Sequence, residues 1–518
     1  MKLKKQQEQF RTYVRNGQLV LSLNSEILLP ENAPVRRTNA QLEELEYGKL
    51  YEAYSPKGRK SVVDPKVMFK VMAYGYECGI YSTRQLEEAC RYRVDFMWLL
   101  EDQAVPDHST FARFRTGRCA DAIEDLFYQY VRKLEALDET DHETVFVDGT
   151  KIESRAGKYT FCWRGSIEKN LEKVKAEVKK LSGLKTLKGL SRRLSKQAEE
   201  ISFVNGSGKH KTPDQRDWER LYALEQRWTK YIAQLEIMGH SRNSYSKTDH
   251  DATFMRMKED HMLNGQLKPA YNVQIAVNSE YITGIGVFSN RTDYGTFIPF
   301  LNEVSSFHGE RYKKVVADAG YESLENYLYL ENNGQKSFIK PRNYEQSKSR
   351  KYKSQIGRPE NMCYDASDDS YTCANGRKLV LDRERIDNYS SCGAVISYYR
   401  CENCSNCSYR EQCCTSKYID APKEIRIKKQ LGEKRKISLT NISTEEGIYL
   451  RMCRSIQVEG AFALLKTDFG FRRFLTAGKK NVKTEMLFLA LAFNLKKNWM
   501  KAEAKREKTH LSVIKKTA

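Results

Sequence analysis

The spacing of hydrophobic residues predicts helices over roughly the first 140 residues of the chain. Asp64-Pro65 precedes a run of apolar residues at helical spacing, and a proline in the first turn favours the start of a helix. Ser82 and Asp107 are suitable caps for two further helices, and the last of these carries Arg113 and Arg115. Short helices with arginines on the third predict a helix-turn-helix unit, although an ordinary helical bundle with solvated arginines explains the pattern equally well.

From residue 144 the pattern changes to the short apolar and alternating runs that are typical of strands. Thr144–Val147 is predicted to be a buried strand that ends at Asp148, and Lys313–Ala317 leads in the same way to Asp318. Alternating segments over 271–277 and 281–288 predict a hairpin between them. The order strand, long insert, two strands, helix, strand, helix, strand predicts an α/β fold with a mixed sheet.

Two inserts interrupt this predicted sheet. Residues 166–261 contain two stretches of helical spacing joined by a polar loop, which predicts a helical hairpin. Residues 346–444 contain eight of the 13 cysteines in a polar, strand-and-turn context. Without a secretion signal, such a cluster is more typical of a metal site than of disulfides.

The cysteine spacing predicts a structural Zn²⁺ site in a zinc-ribbon-like insert, because two thiolates two residues apart chelate one tetrahedral ion that two more thiolates complete. The predicted ligands are Cys373, Cys404, Cys407 and Cys413. Cys401 and Cys414 are further candidates, and the choice among the closely spaced cysteines stays open. The alternative is a set of reduced, unpaired thiols in a small β subdomain.

Composition adds a strong positive charge to this picture. The chain has 88 Lys and Arg against 67 Asp and Glu, a net charge of +21. This excess favours a polyanionic partner, most commonly nucleic acid. The mean hydropathy is -0.68, and the longest apolar run, 486–493, is far too short for a bilayer span. The first ten residues lack the apolar segment of a signal peptide, so we expect a cytoplasmic, nucleoid-associated protein with no membrane partner.

Three acidic residues are candidates for metal-dependent chemistry. Asp148 and Asp318 follow strands that are predicted to be neighbours, so their carboxylates are expected in one crevice at the sheet's end. Glu459 lies in a predicted helix. Carboxylates that are forced together repel unless a cation lies between them, and oxygen donors suit Mg²⁺ or Mn²⁺ better than zinc. Two such ions support phosphodiester cleavage.

Several motifs resemble those of DDE-type transposases of bacterial insertion sequences. They are VFVDGTKIES, KPAYNVQIAV, VVADAGYES, VEGAFALLK followed by GFRRF, and LALAFNLKK. The segments DPKVMFKVMAYGY, STRQLEEAC and VPDHSTFARFR are similar to the DNA-binding portion of these enzymes. The resemblance implies a ribonuclease-H-like core in which Asp148, Asp318 and Glu459 are the catalytic, metal-binding acids. Similar transposases also carry a cysteine-rich insert between the second Asp and the Glu.

The resemblance divides the chain into a DNA-binding region, a discontinuous core, two inserts and a tail. The predicted ranges are 1–140 for the helical DNA-binding region, 141–165, 262–345 and 445–502 for the core, 166–261 for the helical insert, 346–444 for the cysteine-rich insert, and 503–518 for the basic tail.

One companion motif of a related group is only partly present. Lys466 follows Glu459 at the family's spacing, but the positions seven and four residues before Glu459 hold Met452 and Ser455 instead of Tyr and Arg. Basic residues beside the predicted crevice and on the third N-terminal helix are expected to contact DNA. They are Arg113, Arg115, Arg451, Arg454, Lys466, Arg472 and Arg473.

The predicted function is cleavage and joining of double-stranded DNA at the ends of a mobile element, by a homodimer on the DNA. One alternative is a DNA-binding regulator or an inactive, domesticated transposase, which has no reason to keep the three acids. The other is a metal-dependent DNA nuclease on the same core, which shares the metal chemistry of cleavage.

Overall fold

The computed structural model describes residues 28–54, 61, 63–206, 210–240, 242–257, 265–388, 390–414 and 421–503. Within these ranges the chain forms a six-stranded mixed sheet, a five-stranded sheet and a two-stranded sheet among many helices. The predicted α/β class and mixed sheet are confirmed. None of the helices in these ranges is long and apolar enough to cross a membrane. Apart from Glu503, the predicted basic tail lies outside the described residues.

The N-terminal region is helical, as the hydrophobic spacing predicts. Its helices are α1 (Pro34–Glu43), α2 (Gly48–Glu52), α3 (Pro65–Glu77), α4 (Thr83–Tyr92), α5 (Val94–Leu99), α6 (His108–Arg113) and α7 (Ile123–Ala136). The Asp64 carboxylate accepts a hydrogen bond from the Lys66 N–H, and the Asp107 carboxylate accepts one from the Thr110 N–H. The predicted Asp107 cap is confirmed, and these two bonds explain where α3 and α6 begin. Ser82, the other predicted cap, precedes α4, but its side chain makes no capping hydrogen bond.

Three helices, rather than the predicted two, form the insert that follows the first strand. They are α8 (Arg164–Ser182), α9 (Leu187–Glu200) and α10 (Pro213–Met238). Gly183 adopts a left-handed conformation (φ 72°) that ends α8, and the Thr186 hydroxyl accepts a hydrogen bond from the Gly189 N–H at the start of α9. The predicted hairpin was therefore wrong in helix number, because the break and the cap around 183–186 start a further amphipathic helix.

The central sheet combines antiparallel and parallel pairing. The strands in this part of the chain are β1 (Thr144–Glu153), β2 (Phe161–Trp163), β3 (Ser244–Ser246), β4 (Thr253–Arg256), β5 (Leu267–Asn278), β6 (Tyr281–Phe288), β7 (Lys314–Ala317) and β8 (Lys336–Ile339). β5 pairs antiparallel with β1 on one side and with β4 and β6 on the other. On its other edge β1 is parallel to β7, which is parallel to β8.

Helices cover both faces of this sheet. Helices α11 (Phe297–His308) and α12 (Leu324–Asn332) pack on the face that carries Val145 and Val147 of β1. Phe146 points the other way, into a core that the sheet shares with the N-terminal helices. The strict alternation of β1 between two hydrophobic cores explains why its sequence is a continuous apolar run.

A second, smaller sheet forms within the cysteine-rich insert. Its strands are β9 (Cys363–Asp365), β10 (Ser370–Thr372), β11 (Lys378–Ile386), β12 (Val395–Cys401) and β13 (Glu424–Ile427). Neighbouring strands are antiparallel throughout. The short helices around it are α13 (Tyr344–Ser347), α14 (Arg350–Lys353) and α15 (Arg410–Cys413).

The chain then returns to the central sheet through helices. They are α16 (Lys429–Ser443), α17 (Glu445–Arg454), a π-helical turn over Ser455–Glu459, α18 (Gly460–Lys466) and α19 (Lys479–Glu503). The Phe488 ring of α19 contacts the rings of Phe69 and Tyr76 in α3, with centroids 5.4 and 5.3 Å apart. On its other side, the Asn494 amide exchanges two hydrogen bonds with the Ile282 backbone of β6. The N-terminal helices are thus joined to the sheet through α19 in one hydrophobic core.

Candidate active site

Asp148 and Asp318 lie side by side where two parallel strands stop pairing. Val147 of β1 is opposite Ala317 of β7, and each aspartate is the next residue in its chain. β1 does not end at Asp148 as predicted but continues to Glu153 against β5. What ends there is the pairing with β7, because Asp318 turns into a short 3-10 segment whose Gly320 N–H donates to its carboxylate at 2.6 Å. The two carboxylates therefore share one crevice, as the sequence predicts.

Glu459 reaches the same crevice through the π-helical turn that follows α17. A π-turn adds a residue to the helical repeat, so side chains five apart across it come onto one face. Arg454 accordingly faces both acids: its guanidinium lies 3.2 Å from Asp148 Oδ2 and 3.4 Å from Glu459 Oε1. The related group has an arginine four residues before its glutamate, whereas this chain has Ser455 at that position. Because the π-turn adds one residue, Arg454, five residues before Glu459, lies on the helix face that points to Asp148 and Glu459. Sequence spacing alone does not predict this.

The electrostatics of Asp148 are unusual for an aspartate. Burial raises its pKa to about 6, the Arg454 guanidinium lowers it, and the neighbouring carboxylates of Asp318 and Asp293 raise it. A buried carboxylate beside other carboxylates is a good candidate for binding a cation, since the cation removes the repulsion. Glu459, by contrast, has a side chain that is 62 % exposed, so it borders the crevice from the solvent side.

A fourth acidic residue, Asp293, lies at this site and was not predicted as part of it. A carboxylate just before a helix commonly caps it, and Asp293 lies four residues before the start of α11. Instead the Asp293 carbonyl oxygen accepts from the Thr296 N–H, and its carboxylate accepts from the amides of Asn272 and Gln274. One sequence feature pointed to this arrangement: Asn272 and Gln274 are polar residues two apart on an otherwise apolar strand, and both are fully buried on the face beside Asp148.

The donor set of the crevice fits a hard divalent cation. The side chains of Asp148, Asp318 and Glu459 offer only carboxylate oxygens, which Mg²⁺ and Mn²⁺ prefer, and no thiol or imidazole accompanies them among their described contacts. In this structure, Arg454 supplies the positive charge beside Asp148 and Glu459.

Of the residues that were predicted to contact DNA, Arg115 and Arg473 bind other parts of the protein, whereas Arg113 and Arg472 are exposed. Arg115 is only 5 % exposed and donates to the Tyr81 carbonyl oxygen and the Tyr76 hydroxyl, so the prediction that it contacts DNA is wrong for this conformation. Arg115 lies in the π-helical turn that follows α6, and this turn directs its side chain toward the core. Arg473 binds backbone carbonyl oxygens of 154–156 with its guanidinium. Arg113 and Arg472 are exposed.

The remaining two predicted DNA contacts lie on α17 and α18, the helices on either side of the π-helical turn that ends at Glu459. Arg451 places its guanidinium over the Tyr344 ring, 5.3 Å from the centroid. Lys466 ends α18 and is half-buried.

The cysteine-rich insert gathers several thiols at one end of its sheet. Burial raises the thiol pKa of Cys401 and Cys413, and interactions with Cys404 and Cys373 raise both further. The Lys423 N–H points at Cys404 Sγ at 3.3 Å. Cys373, Cys404 and Cys413 of the predicted set thus lie near Cys401, but no three thiols of the described residues have their sulfur atoms within 4.8 Å of one another. The zinc ligands, Cys407 included, stay a prediction.

A third polar cluster lies at the opposite end of the central sheet from the crevice. Glu135 of α7 contacts His308 Nδ1 at 2.9 Å and His142 Nε2 at 3.4 Å. Their ligand atoms are close enough to surround a metal ion. No sequence pattern predicted this group, because its members come from three separate elements.

Comparison with family models identifies two regions of the chain. Residues 372–499 match a transposase DDE domain, and residues 23–117 match a transposase domain known as DUF772. The first region contains Glu459 and Arg454, whereas Asp148 and Asp318 lie outside both. No curated protein and no solved structure matches the chain in these comparisons. The transposase matches in both its N-terminal and its C-terminal part support a DDE-type transposase of an insertion element.

Proposed function

We propose that the protein cuts and joins DNA at the ends of its own insertion element, with Asp148, Asp318 and Glu459 as the catalytic acids. The observation that carries the proposal is the convergence of these three side chains from two parallel strands and a helix. Arg454 links Asp148 to Glu459 in that arrangement. DNA is the substrate that the transposase family implies.

The sheet supports a ribonuclease-H-like core for this chemistry. Three antiparallel strands, β6, β5 and β1, continue into two parallel ones, β7 and β8, and the two aspartates follow the parallel pairing of β1 and β7. This order matches the core that the sequence motifs imply. The proposed catalytic core is therefore the central sheet together with α17, α18 and α19.

Mg²⁺ or Mn²⁺ would be held by the carboxylates of Asp148, Asp318 and Glu459, and when bound it activates the attacking oxygen and stabilises the leaving one. The protein's own contribution is to hold Asp148 within β1, Asp318 directly after β7 and Glu459 on the π-helical turn. It also limits solvent access to Asp148, whose side chain is 19 % exposed. Arg454 balances the acids and, as the cation at the crevice, is placed to bind a DNA phosphate. Water and then the freed 3′-hydroxyl are the proposed nucleophiles, so no covalent link between protein and DNA is required.

DNA contacts and partners complete the proposal. Arg113, Arg451, Lys466 and Arg472 are the proposed phosphate contacts, with Arg454 at the crevice itself. The net charge of +21 favours such contacts over the whole surface. A homodimer on the DNA and a structural zinc ion in the cysteine-rich insert are further parts of the proposal.

A plasmid that carries the gene with its flanking DNA tests the function. Purified protein with Mg²⁺ should cut the plasmid at the element's ends and join those ends to a second, labelled plasmid. Cutting without joining would favour a metal-dependent nuclease. Specific binding of the ends without any cutting, under conditions where the protein is folded, would favour the regulator or inactive transposase.

A further inference from the structure

Asp293 lies against the residues that follow both proposed catalytic aspartates, in β1 after Asp148 and in the 3-10 segment after Asp318. A Cβ atom built on Gly320, two residues after Asp318, would lie 2.9 Å from Asp318 Oδ1 and 3.4 Å from Asp293 Oδ2. A Cβ atom built on Gly149, next to Asp148, would lie 2.9 Å from Asp293 Oδ1. The two glycines thus leave the space in which Asp293 approaches the crevice, and its Oδ2 shares a small region with the Asp318 carboxylate.

A buried amide network holds the Asp293 carboxylate in one orientation. Its Oδ1 accepts from Asn272 Nδ2 at 2.7 Å and from Gln274 Nε2 at 3.2 Å. Gln274 Nε2 also donates to Asn272 Oδ1 at 2.9 Å, and the Tyr321 hydroxyl donates to Gln274 Oε1. Asn272, Gln274 and Tyr321 are all fully buried. Both donors that reach the Asp293 carboxylate, Asn272 Nδ2 and Gln274 Nε2, end on Oδ1, and Oδ2 lies on the side of Gly320 and Asp318.

Neutral amides orient this carboxylate but do not neutralise it. Among the described residues, no lysine or arginine pairs with Asp293, and no hydrogen-bond donor faces its Oδ2. Arg454 is the cation that contacts the acids of the crevice, and it contacts Asp148 and Glu459. Four carboxylates beside one guanidinium leave an excess of negative charge in a partly buried place. Such an excess is stable only with bound cations or with protonated acids.

We propose that Asp293 is a fourth carboxylate of the metal centre and offers its Oδ2 to a divalent cation, with Asn272, Gln274 and Tyr321 as positioning residues. The proposal rests on the proposed function, since it extends the same crevice. It assigns a role to the buried polar positions of β5, which packing alone does not explain, because an apolar strand would fill the same space without an unpaired acid.

The test is Mn²⁺ binding to the full-length protein, measured by calorimetry and by the rise in melting temperature that Mn²⁺ causes. Mn²⁺ suits carboxylates and leaves the thiol cluster largely unoccupied. Asp293→Asn should weaken Mn²⁺ binding about 10-fold to 100-fold and remove most of the Mn²⁺-dependent stabilisation. Its melting temperature without metal should stay the same or rise, because the substitution removes a repelling charge.

Two further variants make the result decisive. Asp141→Asn is the matched control, since Asp141 is also held by a buried amide, that of Asn278, but at the opposite end of β1. It should leave Mn²⁺ affinity unchanged. Gln274→Met removes an orienting amide at similar volume and should weaken Mn²⁺ binding about tenfold. This loss should not exceed the loss caused by Asp293→Asn.

The outcomes separate this inference from the proposed function. If Asp148→Asn abolishes Mn²⁺ binding while Asp293→Asn leaves it at the wild-type level, Asp293 is not a ligand and only the further inference is overturned. If neither variant changes Mn²⁺ affinity, the crevice is not a metal centre and the proposed function falls as well. If Asp293→Asn lowers the metal-free melting temperature by as much as it lowers Mn²⁺ stabilisation, its role is structural and the inference is overturned.

Discussion

The two ends of the central sheet both hold partly buried carboxylates, but they balance the charge in opposite ways. Where β1 begins, Glu135 lies between two histidines, and its hydrogen bonds to them outweigh burial and lower its pKa to about 2. Where the β1–β7 pairing ends, burial dominates at Asp148 and raises its pKa to about 6. At the first end two histidines pair with the single carboxylate of Glu135. At the second end several carboxylates share the one guanidinium of Arg454.

This difference indicates which end does chemistry. Charges that are matched inside the protein stabilise the fold, whereas unmatched charges lower stability and are retained where a ligand supplies the missing partner. Glu135 ties α7 to α11 through His308, and the ring nitrogen of His308 that faces away from Glu135 lies 2.9 Å from the Thr283 carbonyl oxygen. The crevice has no comparable tie between Asp293 or Asp318 and a cation among the described residues. The comparison therefore predicts that substitutions at the two ends change different measurements.

The largest effect is expected from the acids of the crevice. Asp148→Asn, Asp318→Asn and Glu459→Gln should each lower DNA cleavage by about 1000-fold or more, because each removes a metal-ligand charge worth about 4 kcal/mol in the transition state. DNA binding should stay nearly intact, and the melting temperature should not fall. Cleavage is measured on the plasmid with the element's ends, and binding by gel shift. An aspartate whose asparagine variant cleaves at the wild-type rate does not belong to the catalytic set.

The next largest effect is expected at Arg115, a buried cation whose guanidinium donates to the Tyr81 carbonyl oxygen and interacts with Glu485. Arg115→Ala should destabilise the protein by about 3 kcal/mol, since it leaves the Tyr81 carbonyl oxygen without its donor and Glu485 without a nearby cation. Arg113→Ala is the matched control on the exposed side of the same segment. It should leave stability unchanged but weaken DNA binding and make the log–log salt slope shallower by about one. Equal loss of DNA affinity and equal stability in both variants would contradict this assignment.

The contrast between Arg113 and Arg115 shows where sequence-based prediction stopped. The helix start at Asp107, the strand before Asp148 and the motif around Glu459 depend on neighbouring residues, and all three were predicted correctly as elements. The burial of Arg115 depends instead on a π-turn and on α19, which comes from more than 350 residues later in the chain. Asp293 was missed for the same kind of reason, because only the register of β5 beside β1 places Gln274 opposite Gly149 and beneath that carboxylate.

A smaller effect is expected at Glu135, and it depends on pH. Because its pKa is lowered in the folded state, Glu135 adds stability that is fully present above its unfolded pKa of about 4.3 and is lost as pH falls toward about 2. Contact with Glu135 raises the pKa of His142, so that part of the stability is lost as pH rises above the histidine range. Glu135→Gln should therefore cost about 1–2 kcal/mol near pH 5–6 and less at pH 3.

Urea unfolding at several pH values measures the Glu135 effect. Glu143→Gln is the control, because Glu143 pairs with the exposed Lys313 and should change stability by less than about 0.5 kcal/mol. Cleavage by folded Glu135→Gln protein should equal that of the wild type. A pH-independent cost would show that the two histidines do not act as charged partners of Glu135.

The smallest effect on cleavage is expected at the thiol cluster, where soft ligands select a metal that the crevice does not. Purified protein should contain about one zinc per chain, and Cys404→Ser should release it and lower the melting temperature, because zinc binding and local folding are coupled.

Cys401→Ser and Cys407→Ser then decide which cysteine is the fourth zinc ligand. The contacts of Cys401 with Cys404 and Cys373 favour loss of zinc in Cys401→Ser and its retention in Cys407→Ser, whereas the Cys-x2-Cys spacing alone favours the reverse. Elemental analysis that finds no zinc in wild-type protein purified without chelator would leave a cluster of reduced thiols. In every folded variant Mg²⁺ should still be required for cleavage, since the carboxylates and the thiols lie in different sheets.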